Sequence, residues 1–212
     1  MRILITAGPT REALDPVRYL TNRSSGRMGY AIAEAAVEAG HEVVLVSGPV
    51  SLAKPAGVEV IAVESARQMF EAVQKSLAGC DVAIFAAAVA DYRPVSVSEQ
   101  KIKKKGERLV LELERTEDIL GSARSVFGFR GVLAGFAAES EKLVEHAREK
   151  LERKGCDVII ANDITQPGIG FDSQENAVTL CLPGDQTIHL PRQSKSSLAR
   201  EIIRFVTQIR RA

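Results

Sequence analysis

The stretches ILITAGPTRE at 3–12 and SSGRMGYAIAEAAVEAGHEVVLVS at 24–47 decide the fold. Residues 3–7 are almost wholly apolar, the pattern of a strand buried on both faces of a parallel sheet. After a polar loop, Ile32, Ala35, Ala36 and Ala39 fall on one face of a helix over 25–39, and Gly40 stops it. The second apolar run, 43–47, then returns as a strand. Strand, helix, strand within one short segment is the unit of a parallel sheet.

The pattern repeats outward from there. Strands are expected over 58–63, 82–88, 132–137 and 158–161, and helices over 66–77 and 140–154. The end of the chain differs. Runs 176–182 and 186–190 flank Pro183-Gly184-Asp185, which reads as a hairpin, and a last amphipathic helix carries Leu198, Ile202, Phe205, Val206 and Ile209. Residues 95–105 are too charged for a core. The expectation is one domain over 1–212: an α/β, doubly wound, mostly parallel Rossmann-like sheet with a protruding arm and a C-terminal β-hairpin.

Composition narrows the function classes. With 28 basic and 27 acidic residues the formal charge is +1, so neither nucleic acid nor an anionic membrane is an expected partner. The longest apolar runs fall short of the roughly 20 residues that span a bilayer. Met1-Arg2 leads straight into a strand without a leader pattern. Cys80, Cys156 and Cys181 are odd in number and widely spaced, which argues against a disulfide framework and fits a reducing, cytoplasmic setting. His41, His146 and His189 match no metal-ligand spacing, and no metal site built on protein ligands is expected.

In an open parallel sheet ligands collect beyond the carboxyl ends of the strands, and four unusual loops fall there. In the first, Gly8 lets the backbone approach a ligand, and Thr10 and Arg11 offer donors; a tight turn after the strand is the plain alternative. GxGxxG is absent. In the second, Asn22, Ser24, Ser25, Gly26 and Arg27 precede a helix whose first N–H groups would favour a phosphate, with a serine as its cap. In the third, the small residues Ala86, Ala87 and Ala88 leave room for a flat ring or a reacting carbonyl, and Asp91 stands at the sheet's mouth, where capping the next turn is the plain alternative. The fourth is the run Lys101-Ile102-Lys103-Lys104-Lys105, which is either a solvated face or an anion grip. Lys150 and Lys154 share a helical face. Phe136 ends another strand, where it either packs in the core or stacks on a base. Asn162 and Asp163 end the next.

These segments resemble the phosphopantothenoylcysteine synthetase family in its bacterial form. The resemblance rests on ITAGPTRE at 5–12, LDPVRY at 14–19, NRSSGRMG at 22–29, LVSGPVSL at 45–52, AAVADYRP at 87–94, KIKK at 101–104, GFAAE at 135–139 and ANDI at 161–164, in order and nearly the whole chain long. It implies a phosphopantothenate–cysteine ligase. In such an enzyme the carboxylate of 4′-phosphopantothenate attacks CTP to give an acyl-cytidylate and pyrophosphate, and L-cysteine then displaces CMP.

The resemblance also assigns residues. Asn22 and Lys101 are implied to be catalytic. Phe85, Ala86, Ala87, Asp91, Lys101, Glu117, Asp118, Ile119, Leu120, Phe136, Lys150 and Lys154 are implied to bind the nucleotide. Gly8, Thr10, Asn22, Ser24, Ser25, Gly26 and Arg27 are implied to bind phosphopantothenate. Arg23 stands where relatives often carry His. Mg²⁺ is expected with the triphosphate, and a homodimer is implied, with the arm and the terminal hairpin as contacts. In that family a flavin-dependent decarboxylase often precedes the synthetase; the sequence leaves open whether the native gene carries it, and flavin chemistry is not carried over. Two other readings stay open: an NAD(P)-dependent reductase on a related sheet, and a nucleotide-sensing module without turnover.

Overall fold

Ile3, Leu4 and Ile5 are all completely buried, yet Ile3 and Ile5 pack into one hydrophobic cluster and Leu4 into another. Side chains alternate across a strand, so helices must cover both faces of the sheet. The computed structural model, which describes residues 1–104, 106–163, 165 and 173–209, has that form. The chain runs β1 (Arg2–Ala7), β2 (Arg11–Asp15), β3 (Arg18–Thr21), α1 (Arg27–Glu38), β4 (Glu42–Ser47), β5 (Glu59–Ala62), α2 (Ala66–Ser76) and β6 (Val82–Phe85). It continues with β7 (Tyr92–Pro94), β8 (Leu113–Arg115), α3 (Ile119–Ser125), β9 (Val132–Glu139) and α4 (Leu143–Lys154). β10 (Val158–Asp163), β11 (Glu175–Cys181), β12 (Thr187–Ser194) and α5 (Lys195–Val206) complete it.

Among the described residues eight strands form one sheet in the order β12-β11-β10-β9-β6-β1-β4-β5. The six from β10 to β5 are parallel, and β11 and β12 join antiparallel. Ile32 of α1 and Leu198 and Ile202 of α5 share the first cluster. Met69 and Val73 of α2, Ile119 of α3 and Leu151 of α4 share the second. The chain winds outward from β1 through β4 to β5, then returns to place β6 on β1's other side. This reversal opens a crevice at the carboxyl ends of β1 and β6, where such folds bind ligands.

Gly29 brings α1 to that crevice. A Cβ there would lie 2.6 Å from Ala7 Cβ and 3.1 Å from Ala7 Cα, so only glycine lets the first turn rest on the end of β1. No described helix is long and apolar enough to cross a membrane.

Several expectations are corrected. The strand expected over 82–88 ends at Phe85, although a single bridge, Pro9 to Ala88, continues its pairing. The helix expected from 140 begins at Leu143, after Lys142 in a left-handed conformation with φ 48°. The expected terminal hairpin is present, and its strands extend the main sheet beside β10. The hairpin β2–β3 and the short α3 were not expected. Lys105 and Ile164 lie outside the described residues. The arm springs from the pair β7–β8 and lies on β2–β3, where the Ile102 amide donates to Asp15 Oδ2 at 3.0 Å and the Ser98 amide to Leu14 O at 3.0 Å.

Candidate functional site

The crevice has a floor of backbone pinned by backbone and hydroxyl groups. Beyond β6 the chain runs alongside the loop after β1. Thr6 Oγ1 accepts from the Ala87 amide at 3.2 Å, Gly8 O from the Ala88 amide at 2.9 Å, and Thr10 Oγ1 from the Ala90 amide at 2.9 Å. Ala88 O accepts from the Thr10 amide at 3.2 Å and from Asn22 Nδ2 at 2.7 Å. Thr6 and Thr10 are buried almost completely, and Gly8 holds φ 76°, a conformation that suits glycine. Segment 86–90 is thereby fixed before any ligand arrives.

On one side of this floor lies a cavity of about 540 Å³. Phe85, Ala87, Asp91, Glu117, Asp118, Ile119, Leu120, Phe136, Lys150 and Lys154 all line it. Thus nearly the whole set that the resemblance assigns to nucleotide binding is brought together. Arg115 and Arg153 also line it and were not foreseen. Arg93 donates to both carboxylate oxygens of Glu117, at 3.0 and 2.9 Å, and to Glu114 at 2.8 Å. Lys154 pairs with Asp118, which also caps α3 by accepting from the Gly121 amide at 2.9 Å.

These contacts set the charges of the wall. Burial pushes the Asp118 carboxyl up, but the hydrogen bonds from Lys154 and the Gly121 amide outweigh it, and the group sits below its ordinary value. Glu117 is likewise lowered: burial opposes the shift, while its own amide and Arg93 drive it. Lys150 is pushed below its ordinary value, first by burial, with Glu139 resisting and Lys154 and Arg153 adding repulsion. Its ammonium donates to Phe136 O at 2.7 Å, which ties α4 to the end of β9.

Across the floor a second cavity, of about 400 Å³, adjoins the first and shares Ala87, Val89, Asp91, Phe136 and Lys150 with it. Asn22, Ser24, Ser25, Gly26 and Arg27 line it, together with Ala86. Neither serine caps the helix, which corrects the expectation. Gly26, at φ 77°, is the N-cap and brings no side-chain hydrogen bond, so the first amides of α1 gain no acceptor from their cap residue. Ser24 Oγ accepts instead from the Gly26 amide at 3.4 Å. Met28, Gly29, Ala138, Asn162, Asn176 and Lys195 also line this cavity. Of these, Asn162 was expected at its strand end, and Met28, Gly29 and Ala138 fall in segments that carry the resemblance; Asn176 and Lys195 were not foreseen.

Three assigned residues line neither cavity. Gly8 and Thr10 act beneath the floor, through the hydrogen bonds above. Lys101 is exposed on the arm, in a surface groove with Val17 and Arg18. Arg23 is exposed and lines neither cavity. Among the described residues no group of three His, Cys, Asp or Glu side chains is placed to hold a metal ion.

Known proteins resemble the chain along nearly its whole length. The family described as the DNA/pantothenate metabolism flavoprotein C-terminal domain matches residues 1–209. The coenzyme A biosynthesis bifunctional protein CoaBC of Vibrio vulnificus (strain YJ016) is 48% identical over 206 residues, covering 96% of this chain and 51% of that protein. The protein of the same name from Bacillus subtilis (strain 168) is 45% identical over 211 residues, covering 98% of this chain and 51% of its own length. The chain thus spans about half the length of the curated relatives it matches. A crystal structure of the C-terminal domain of CoaBC superposes with a TM-score of 0.82 at 46% identity, covering 97% of this chain and 93% of that one.

Proposed function

This chain belongs to the DNA/pantothenate metabolism flavoprotein C-terminal domain family, and on that premise we propose that residues 1–212 form a phosphopantothenate–cysteine ligase domain of coenzyme A biosynthesis. The carboxylate of 4′-phosphopantothenate attacks the α-phosphorus of CTP. The bond to the β-phosphate breaks, and pyrophosphate leaves with its electron pair. The amine of L-cysteine then attacks the acyl carbon of the acyl-cytidylate, loses a proton, and expels CMP.

The observation that carries this reading is the junction of the two cavities. One is lined by the assigned nucleotide residues and the other by the assigned phosphopantothenate residues, and they meet over Ala87, Asp91, Phe136 and Lys150. An acyl-nucleotide needs two adjoining compartments with its reacting carbonyl at the joint. Both steps develop charge on phosphoryl oxygens, and preorganised donors and cations in a dry site stabilise such charge. The Asp91 carboxylate has no ion-pair partner among the described residues. As a hard oxygen donor it suits the Mg²⁺ that accompanies the triphosphate and neutralises part of its charge. Pyrophosphate release should require phosphopantothenate and a nucleotide, and CTP should exceed ATP in kcat/KM. Comparable values for the two would remove the claim of CTP selectivity, and no release with any of the four nucleotides would remove the ligase reading.

Lys150 supplies a pH prediction. A lysine carries its charge below its pKa, and this one is lowered. CTP affinity should therefore be full on the acid side of that lowered pKa and decline as pH rises through it, before the ordinary lysine range. Lys150→Arg should move that decline to higher pH, because guanidinium stays charged. An unshifted alkaline limb would show that Lys150 does not hold the nucleotide.

Lys101 is kept as the cation that offsets charge on the departing pyrophosphate, delivered from the arm. Lys101→Gln should lower pyrophosphate formation by on the order of 10²-fold, whereas near-normal turnover would leave it a solvated residue. The arm exposes Val95, Val97, Leu109, Val110, Leu111 and Leu113. So much apolar surface on one projection supports a homodimer through the arm. The reaction class supports a cytoplasmic location, and the bifunctional relatives support a flavin-dependent decarboxylase as a further partner domain.

A further inference from the structure

We propose that Asp15 is a positioning residue for Lys101: its carboxylate anchors the arm at Ile102 and so fixes the backbone from which the Lys101 ammonium meets the departing pyrophosphate. The inference rests on the ligase reading. The resemblance includes Asp15 in LDPVRY at 14–19 and gives it no role. Asp15 closes β2, and its side chain is wholly out of water. A carboxylate so placed is costly unless its lone pairs meet donors.

Its two oxygens have different duties. Oδ1 accepts from the amides of Val17 and Arg18, both at 2.9 Å, which closes the turn between β2 and β3. Asparagine or serine could do as much. Oδ2 accepts from the Ile102 amide at 3.0 Å, 87 residues further on, and pairs with Arg18 Nη2 at 2.9 Å. The second oxygen is what distinguishes aspartate here, and what it holds is the arm. The grip is two-sided, because Arg18 Nη2 also donates to Ile102 O. One ion pair thus holds both polar groups of the Ile102 backbone.

The neighbouring cation is left free for work. Lys101 has no ion-pair partner among the described residues, so the clamp takes the backbone beside it and not its charge. Lys101, Lys103 and Lys104 are exposed, and hydrogen bonds rather than a core must hold them in place. A cation stabilises developing charge well only when it is preorganised. The competing role for Asp15 is closure of the turn alone, and Asp15→Asn separates the two. Its Oδ1 can still serve the turn amides, while Nδ2 turns a donor towards the Ile102 amide and Arg18.

Pyrophosphate release and limited trypsin digestion of the full chain test this together. Asp15→Asn should lower pyrophosphate formation about 10- to 100-fold, the range for losing a hydrogen bond to a charged group. Tryptic cleavage after Lys101, Lys103 or Lys104 should quicken by about 10-fold as the arm opens. Combined with Lys101→Gln, the same change should cost less than about threefold more, since a lysine that is absent cannot be misplaced. Should Asp15→Asn fail to fold, Asp15→Ser, whose hydroxyl also closes such turns, carries the same readouts. Unchanged cleavage, or losses that multiply in full in the double variant, overturns the positioning role. Near-normal turnover of Lys101→Gln overturns it too, by leaving nothing to position. A wild type that releases no pyrophosphate with any nucleotide sinks the ligase reading itself. The tryptic comparison, which needs no turnover, distinguishes that failure from a failure of the clamp.

Discussion

Asn22→Asp should still fold, form some acyl-cytidylate, and yield coupled product at a rate at least about 10²-fold below the wild type. Asn22 Nδ2 donates to Ala88 O at 2.7 Å, and its Oδ1 accepts from the Ser24 amide at 3.2 Å. One side chain therefore ties the loop before α1 to the floor between the cavities. Aspartate keeps the size and loses the donor. A carboxylate oxygen would then face a carbonyl oxygen, and a second negative charge would join Asp91 in a cavity that must hold an anionic substrate. The floor should shift where the acyl carbonyl must sit for attack by cysteine. Mass spectrometry of quenched reactions should show acyl-cytidylate accumulating with cysteine present. Coupling at the wild-type rate would reduce Asn22 to a loop tie with no part in the second step.

Gly48→Ala should destabilise the chain by about 3 kcal/mol, the upper end of what overpacking usually costs. A Cβ at Gly48 would lie 1.8 Å from Pro9 O and 2.8 Å from Pro9 C. Both are backbone atoms, so no side chain can swing aside. The Gly48 amide also donates to Ala7 O at 2.9 Å, which fixes the loop after β4 onto the loop after β1. For a chain of this size the midpoint of thermal unfolding should fall by roughly 6–12 °C. Activity should fall further than stability, because Pro9 and Thr10 set the floor through Ala88 and Ala90. An unchanged midpoint would mean that the two loops do not touch as described.

The parallel strands were legible because continuous apolar runs such as 3–7 and 158–161 are what a doubly covered sheet demands. The hairpin β2–β3 was not, because its polar residues face inward. Glu12, 4% exposed, accepts from the Ala66 amide at 2.8 Å, and Asp15, 3% exposed, accepts from the amides of Val17, Arg18 and Ile102. Periodicity reads such carboxylates as outward. The serines before α1 looked like caps, but a left-handed Gly26 took that place. α3, at seven residues, is too short to declare a period.

The site followed the same division. Its small residues at 86–88 were legible from their position at a strand end, where the topology opens a crevice. Asn176 and Lys195 were not, because a buried lysine and a solvated one have the same sequence signature, and only the pairing of β11 with β12 brings them together. Lys101 shows the converse. Resemblance placed it in the site, and the fold sets it in the arm's groove beside Arg18.

The fate of the substrate's carboxylate oxygen tests the central claim most directly. With 4′-phosphopantothenate labelled with ¹⁸O in its carboxylate, turnover with CTP and cysteine should place one label atom in CMP and none in pyrophosphate, because the oxygen that attacks the α-phosphorus leaves with it. Unlabelled CMP, or label in any other phosphate product, would contradict the acyl-cytidylate.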